Sequence, residues 1–527
     1  MKNYQRNAFI FATIVAIGGL VFGIDAVLIS GTTSYITEEF GLTPDMLGNV
    51  VSSTLLGVLI ALPFVGPACN SFGRKRVIQI IAVLYLISAV GSTFAPGYWT
   101  LFIARFIGGL AFSSITLASM YIGEISPPSW RGKLVAMTQI NIVIGLTLAY
   151  FINDAVFKAS VSGTGWAESL GFADHTWRWM LGSEIPAAAI WLVLLFFIPE
   201  SPSWLFYKGR EAEARSVLTK LLSDDEIDHH LDEMRESMAE NAQEHDILTQ
   251  FKEIFGRRMR LILVIAVTFA IAQQASGINA IMFYATTVVE QLGFGTDAAF
   301  TQTVLFGVAS LVFTIVALLL VDKIGRRPLI VGGMLWIIAS LGVGAYSFSQ
   351  ATYTLQQNTI VELTDAGIFP QPERLEAIVG VEYHSDVEFK AAINEVLGEK
   401  DARNNQSLLI QNAAQMNAML IFICMLSFIA AFHFSIGPIM WIVFSEIFPI
   451  SLRGIAIPLF GFISTFVSWS VAKFFPVQLD KLGMASTLLT YAGFVAAGLV
   501  VLFFTFKETK GLSIEEIQQK LVIKTKV

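Results

Sequence analysis

Gly66-Pro67-Ala68-Cys69-Asn70-Ser71-Phe72-Gly73-Arg74-Lys75 joins two long apolar runs, and its pattern of a glycine turn followed by basic residues returns as Val321-Asp322-Lys323-Ile324-Gly325-Arg326-Arg327. A second cassette repeats in the same order. Glu124-Ile125-Ser126-Pro127, with Arg131-Gly132 after it, recurs as Glu446-Ile447-Phe448-Pro449 followed by Arg453-Gly454. Two cassettes at matching places in the first and second parts of a chain mark two related halves.

The runs around the cassettes say what the halves are made of. Apolar segments of about 20 residues, enough to cross a bilayer as a helix, are centred near residues 20, 58, 86, 109, 143, 189, 275, 310, 339, 429, 467 and 496. Hydrophobic residues make up 54% of the chain and charged residues 14%, with a mean hydropathy of +0.65. A soluble domain carries about 25% charged residues. The expected fold is an all-α membrane protein of twelve transmembrane helices in two six-helix halves, with short cytoplasmic helices between them. Residues 1–205 form the first half, 206–259 a helical linker, 260–511 the second half with an extracytoplasmic insertion at 350–411, and 512–527 a tail.

Of the 34 lysines and arginines, 25 lie in the tails and in the loops that share their side. By the positive-inside rule both termini are cytoplasmic. Lys2 and Arg6 precede the first apolar run as they would in a signal peptide, but that run contains Asp25 and no cleavage signal, so it reads as one helix of the bundle. Cys69 and Cys424 sit in apolar segments and supply neither a disulfide framework nor a metal site. No nucleophile, acid dyad or metal-ligand spacing appears in the spans, so an enzyme is not expected.

The polar residues inside the spans carry the functional reading. Gln273-Gln274-Ala275-Ser276-Gly277-Ile278-Asn279 sets three amides and a hydroxyl in the middle of span 7. Unpartnered amides are costly in hydrocarbon, so they must face protein or a water-filled cavity. On a straight helix Gln273, Ser276 and Asn279 share one side, flanked by Gln274. Such a row suits a neutral polyhydroxylated ligand; the structural alternative is amides that hold helices together. In span 10, Gly437-Pro438 breaks the helical ladder, and Trp441 one turn later offers a flat face to a sugar ring. His433 reads as a hydrogen-bonded core residue.

Span 1 carries Asp25, span 4 Arg105 and span 6 Glu184. A lone charge does not persist in a bilayer, so Asp25 and Arg105 are expected to pair, and three ionisable groups in one half resemble a proton path. In the short loops, arginines and glutamates can bond to helix ends and to one another. These pairs would latch a cytoplasmic gate that opens as the halves rock.

The linker shows apolar residues at helical spacing, Ala214, Val217 or Leu218, and Leu221, then Ile227, Leu231, Met234 and Met238, with Ser223 and Glu226 as a capping box. The insertion holds ten acidic residues against four basic ones, Arg374, Lys390, Lys400 and Arg403. Ser385 and Glu388 suggest a capped helix with Phe389, Ile393 and Val396 on one stripe. A solvated decoration is expected there in preference to a lid.

This set of motifs resembles the sugar porter family of the major facilitator superfamily, and more closely its bacterial xylose/proton symporter branch. The signatures are Gly73-Arg74-Lys75, Arg105, Glu124 with Arg131-Gly132-Lys133, Pro199-Glu200-Ser201-Pro202-Ser203-Trp204-Leu205, Gln273-Gln274 with Gly277-Ile278-Asn279, Asp322 with Gly325-Arg326-Arg327, Gly437-Pro438 with Trp441, Glu446 with Arg453-Gly454, and Glu508-Thr509-Lys510-Gly511. They span nearly the whole chain.

The resemblance implies the major facilitator fold and an inner-membrane importer of a pentose such as xylose, or of a hexose, by proton symport and alternating access. A facilitative uniporter is the alternative, and a non-transporting sugar sensor a more distant one. It implies sugar contacts at Gln139, Gln273, Gln274, Asn279, Gly437 and Trp441, and proton coupling at Asp25, Arg105 and Glu184. The cytoplasmic gate falls on Arg74, Glu124, Arg131, Glu200, Arg326, Glu446 and Arg453. The expected partners are a monosaccharide, the proton and the lipid bilayer, with no cofactor, metal, nucleic acid or obligate protein partner. Phe283, Ser310, Leu146 and Ser464-Thr465 replace a tyrosine, an asparagine, a second glutamine and a Gln-Trp pair that the family places around its sugar.

Overall fold

The computed structural model describes residues 3–112, 114–127, 130–241, 247–365, 372–512, 516–517 and 521. The expected tail at 512–527 lies almost wholly outside them. Spans 1 to 6 are Asn3–Leu28, Pro44–Phe72, Arg74–Thr93, Tyr98–Ala111 continued by Ser114–Ile125, Arg131–Val161, and Thr176–Gly182 continued by Glu184–Leu194. Spans 7 to 12 are Arg260–Ala275 continued by Ile278–Phe283 and Ala285–Glu290, then Thr296–Ile324, Arg326–Ser349, Ala418–Phe434 continued by Ile436–Ile447, Ile450–Lys481, and Gly483–Thr505. Among the described residues, eleven stretches are long and apolar enough to cross a bilayer as they stand. The sixth span is cut at Ser183 because Pro186 has no N–H for the Gly182 carbonyl and its ring crowds that turn; the two pieces run end to end through a helical Ser183. The twelve-helix membrane fold expected from the sequence is present.

Helix starts follow local chemistry. Thr43 accepts from the Met46 N–H with Pro44 at the first position of span 2, and Asn417 accepts from the Leu420 N–H at the head of span 10, both N-caps that satisfy an orphan donor. The break in span 10 lies at Ser435, two residues before the expected Gly437. Pro438 explains the offset: it would leave the Phe434 carbonyl without a donor, so the first helix ends there. In span 7 the break lies at Ser276 and Gly277. Gly277 has φ +83° and lies against the Tyr491 ring, where a Cβ would overlap it, so only glycine fits.

An even number of spans puts both chain ends and the linker on one face, here called the terminus side, and the 350–411 insertion on the other. The linker forms the helices Pro202–Tyr207, Glu211–Leu218, Asp224–Asn241 and Ile247–Ile254, and Ala214, Leu218, Ile227 and Leu231 are buried as their spacing predicted. Glu226 reaches back to the Ser223 N–H at 3.3 Å, one of the two bonds of a capping box.

The insertion is more than a capped helix. Strands β1 (Thr352–Thr354), β2 (Glu382–Tyr383) and β3 (Ala414–Gln415) form an antiparallel sheet in the order β2-β1-β3. Tyr353, Leu355, Phe389, Ile393, Leu397 and Leu409 fill a separate apolar core beneath it. Strands of two or three residues show no alternation to read, so the sequence shows only the capped helix after Ser385, which runs from Asp386 to Ala413. Ser385 does cap that helix, accepting from Glu388 N at 3.1 Å. Buried Lys390 docks the unit by donating to Asp386 at 3.0 Å and to the Leu479 carbonyl of span 11 at 3.2 Å.

The halves meet along spans 2 and 11 and along spans 5 and 8. On the insertion side they are bonded together. Thr33 and Thr287 share a hydroxyl bond of 2.9 Å, Tyr150 donates to the Met282 carbonyl at 3.0 Å, Thr301 donates to Asp154 at 2.9 Å, and Phe157 stacks on Phe300. The protein is therefore closed between its halves on that side.

Candidate functional site

The span 7 break shapes the amide cluster. Because the helix stops at Ala275 and restarts at Ile278, the expected row of Gln273, Ser276 and Asn279 is not one helical face. Ser276 is buried and donates to the Gln273 carbonyl instead. The restart brings Asn279 onto Gln274, whose Oε1 accepts from Asn279 Nδ2 at 2.9 Å. Gln274 Nε2 donates to Gln273 Oε1 at 3.1 Å, and Gln273 Nε2 donates to the Gly437 carbonyl at 2.9 Å. Ser464 and Ser468 of span 11 hold the two ends: Ser464 donates to Gln273 Oε1 at 3.4 Å, and Asn279 Nδ2 donates to Ser468 Oγ at 2.6 Å.

This chain divides the labour among the amides. Gln273 is 3% exposed, with both amide atoms committed to protein, so it braces the cluster against the span 10 break. Gln274 and Asn279 are half-buried, and Asn279 Oδ1 enters no bond among the described residues. Trp441 follows Gly437 by one turn, on the same side of span 10, and is 44% exposed. Gln139 is half-buried on span 5. Tyr150 on that helix touches Met282, so Gln139, eleven residues nearer the terminus side, sits about 16 Å lower, level with Ile271 to Gln274. Ser310 is buried and turned onto the Phe306 carbonyl at 2.8 Å. His433 Nδ1 is 3.2 Å from the Thr314 hydroxyl, a core hydrogen bond.

In the first half, Arg105 Nη1 donates to Asp25 Oδ1, and its two terminal nitrogens also reach the Asp25 carbonyl at 3.4 and 3.3 Å. Asp25 and Arg105 are each 1% exposed and Glu184 is 3% exposed. Glu184 lies close enough to Asp25 and Arg105 to feel both charges. Spans 1, 4 and 6 thus bring one guanidinium and two carboxyls into a single buried cluster.

A family model described as "Sugar (and other) transporter" matches residues 11–363 and 402–521. The chain belongs to the sugar transporter family. Among its relatives, the glucose transporter GlcP of Staphylococcus epidermidis is 31% identical over 98% of this chain and 98% of its own length. The arabinose-proton symporter of Bacillus subtilis is 29% identical over 96% of this chain and 93% of its own. An inward-open structure of the xylose transporter XylE from E. coli superposes with a TM-score of 0.71 at 26% identity, covering 98% of this chain and all of XylE. These relatives carry three different sugars in their names, and the family is one of transporters rather than enzymes.

On the terminus side the transporter carries two matching clusters. Arg74 donates to Glu124 Oε1 through Nε at 3.2 Å and Nη2 at 3.1 Å, while Ser201 donates to the other oxygen. Arg326 does the same to Glu446 at 3.0 and 2.8 Å, and Thr509 takes the place of Ser201 at 2.6 Å. Glu200 accepts from the N–H groups of Lys75 and Ser201; Glu508 accepts from those of Arg326, Arg327, Thr509 and Lys510. Each cluster closes within its own half, bracing the ends of three spans.

Arg131 and Arg453 do not join these clusters. Arg131 is exposed at the first position of span 5, and Arg453 donates to the Phe448 carbonyl at 2.9 Å. Glu508 and Thr509 were missed as cluster members, although Glu200-Ser201 after span 6 and Glu508-Thr509 after span 12 repeat the same acid-hydroxyl pair. Ser468 gave no signal, because a serine in an apolar span is common.

Burial works to raise the Glu508 carboxyl, but the four N–H bonds outweigh it and hold it below the ordinary value. A carboxyl depressed in the fold contributes stability above its unfolded pKa and loses it as pH falls through the folded pKa. Acid titration of thermal stability in detergent is expected to show a loss below the ordinary glutamate range, and Glu508→Gln to lessen it.

Proposed function

We propose that this chain imports a monosaccharide, a pentose such as xylose or a hexose, by proton symport across the bacterial inner membrane, with both termini in the cytoplasm. The observation that carries the sugar reading is the pair of half-buried amides, Gln274 and Asn279, on a cluster tied through Gln273 to the Gly437 carbonyl, one turn before an exposed Trp441. Braced amides offer donors and acceptors to hydroxyls without charge, and an indole face covers the C–H side of a ring. Gln139 on span 5 would add an amide from the first half, so that a sugar held between them is gripped by both halves. Gly437 and Gln273 set the position of this surface.

The coupling reading rests on Asp25, Arg105 and Glu184. A proton taken by Asp25 cancels its charge, frees Arg105 and weakens the contact of span 1 with span 4, which lets the halves rock. With the insertion side closed by Thr33, Thr287, Tyr150 and Phe157, the state described here is the one that would release sugar toward the termini. The Arg74–Glu124 and Arg326–Glu446 clusters, with Arg131 and Arg453 beside them, would meet across the halves when that side shuts.

Purified protein in liposomes is expected to accumulate one or more of D-xylose, L-arabinose and D-glucose when the outside is acid, and to lose accumulation with a protonophore. Exchange without accumulation in wild type would mark a uniporter. Asn279→Ala removes the Oδ1 acceptor that enters no bond among the described residues, along with the bonds to Gln274 and Ser468, and is expected to raise KM about tenfold, the effect of about 1.4 kcal/mol, in initial-rate uptake. An unchanged KM would place the sugar elsewhere.

A further inference from the structure

Span 3 presents two serines to the interior of the first half, Ser88 and Ser92, one turn apart and on one face. Both are almost fully buried, at 1% and 2% exposure, and neither hydroxyl oxygen has a partner among the described residues. Asp25 Oδ2, Arg105 Nε and Glu184 Oε1 share that condition. Five unpartnered polar atoms in one region of an otherwise apolar bundle call for water between them, since water needs two or more polar partners to stay in a protein interior.

The placement has a direction. A Cβ built on Gly108 of span 4 would overlap Ser88 Oγ and lie 3.7 Å from Asp25 Oδ2, so both oxygens border the same bare Cα. Ser88 therefore stands next to the carboxylate oxygen that Arg105 leaves free. Ser92 lies about 6 Å farther along the helix axis, in the last turn of span 3 toward the insertion side. The Ser92 carbonyl bonds to Ala95 N, and the Ala95 carbonyl accepts from Arg178, which is paired with Glu39 at the exposed rim. The charged and titratable groups around this line are Asp25 on span 1, Tyr85 on span 3, Arg105 on span 4, Arg178 and Glu184 on span 6, and Glu39 beyond span 1.

We propose that Ser92 and Ser88, with water in the gaps, deliver protons from the insertion side to the Asp25–Glu184 pair, through the interior of the first half. A hydroxyl can accept a proton on one side while donating its own on the other, so each transfer leaves the serine unchanged. This route lies within one half, so closure between the halves does not cut it. It does not short-circuit the membrane in the closed state either. There Arg105 occupies Asp25 Oδ1 and its carbonyl, and the carboxyl passes a proton on only when that pair opens. The inference rests on the symport reading above.

The test uses full-length protein in liposomes with a trapped pH dye and whichever of D-xylose, L-arabinose and D-glucose wild type takes up fastest. Ser88→Ala is expected to slow sugar-driven proton uptake about tenfold and to displace its dependence on external pH toward acid. Counterflow of labelled sugar, which moves no net proton, keeps its wild-type rate. Ser92→Ala, farther from the ion pair, must give the same signature. Unchanged proton uptake in both variants overturns the proposal, and so does an equal fall in proton uptake and counterflow, which marks a packing role. Wild type that takes up sugar without protons removes the symport reading, a failure visible before any variant is made.

Discussion

Asp25→Asn abolishes concentrative sugar uptake and leaves sugar exchange across the membrane in place. Asparagine keeps the shape of the side chain and a carbonyl oxygen for Arg105, but it cannot cycle a proton. With one proton per sugar, a membrane potential of 100 mV contributes about 2.3 kcal/mol, or about 50-fold accumulation. The variant is expected to stop near equality of inside and outside, measured as the steady-state ratio of labelled sugar in energised liposomes. Because Asp25 is not among the proposed sugar contacts, counterflow by the variant should stay close to that of wild type. Full accumulation by Asp25→Asn would remove Asp25 from coupling.

Arg105→Ala has the larger effect on the fold. Asp25 and Arg105 are both sealed from solvent, and removing one member of such a pair leaves an uncompensated charge at a cost of about 3–5 kcal/mol. Asp25 would then be a buried carboxyl without its partner, with its carbonyl also deprived of two donors. The expected result is a sharply lower midpoint in thermal unfolding of detergent-solubilised protein. Combining Arg105→Leu with Asp25→Asn removes both charges and should recover most of that loss, because an apolar substitute for a whole buried pair is close to neutral. Equal instability of the single and double variants would show that Arg105 acts through packing alone.

What could be read in the sequence follows from how narrow the physical options were at each residue. An isolated Asp25 and an isolated Arg105 in apolar runs had little choice but to meet. The repeated Gly-Arg and Glu-Arg-Gly cassettes fixed the two halves, and they led to Arg74–Glu124 and Arg326–Glu446. Gln273 was different: an amide in a span either binds a ligand or braces a helix, and the two uses leave the same letter in the sequence. Only the bond to the Gly437 carbonyl separates them. The Gly437-Pro438 pair marks a span 10 hinge in the sequence, but the cost of Pro438 falls four residues back, at Phe434. The sheet in the insertion escaped notice because each strand is shorter than the pattern that reveals strands. Ser88 and Ser92 gain meaning only when span 3 is set against Gly108 and Asp25.

The same logic locates the weakest points of the assembly. Gln274 and Asn279 depend on Ser468 and on the restart of span 7 after Gly277, so changes in span 11 or at Tyr491 should reach the sugar surface without touching sugar.

Sugar carries no charge, so its passage moves current only if a proton travels with it. The most direct measurement is therefore the current evoked when liposomes bearing this protein on a supported membrane are exposed to a pulse of transported sugar. Symport predicts a transient inward positive current in wild type that disappears in Asp25→Asn. Sugar uptake by wild type with no current would contradict it.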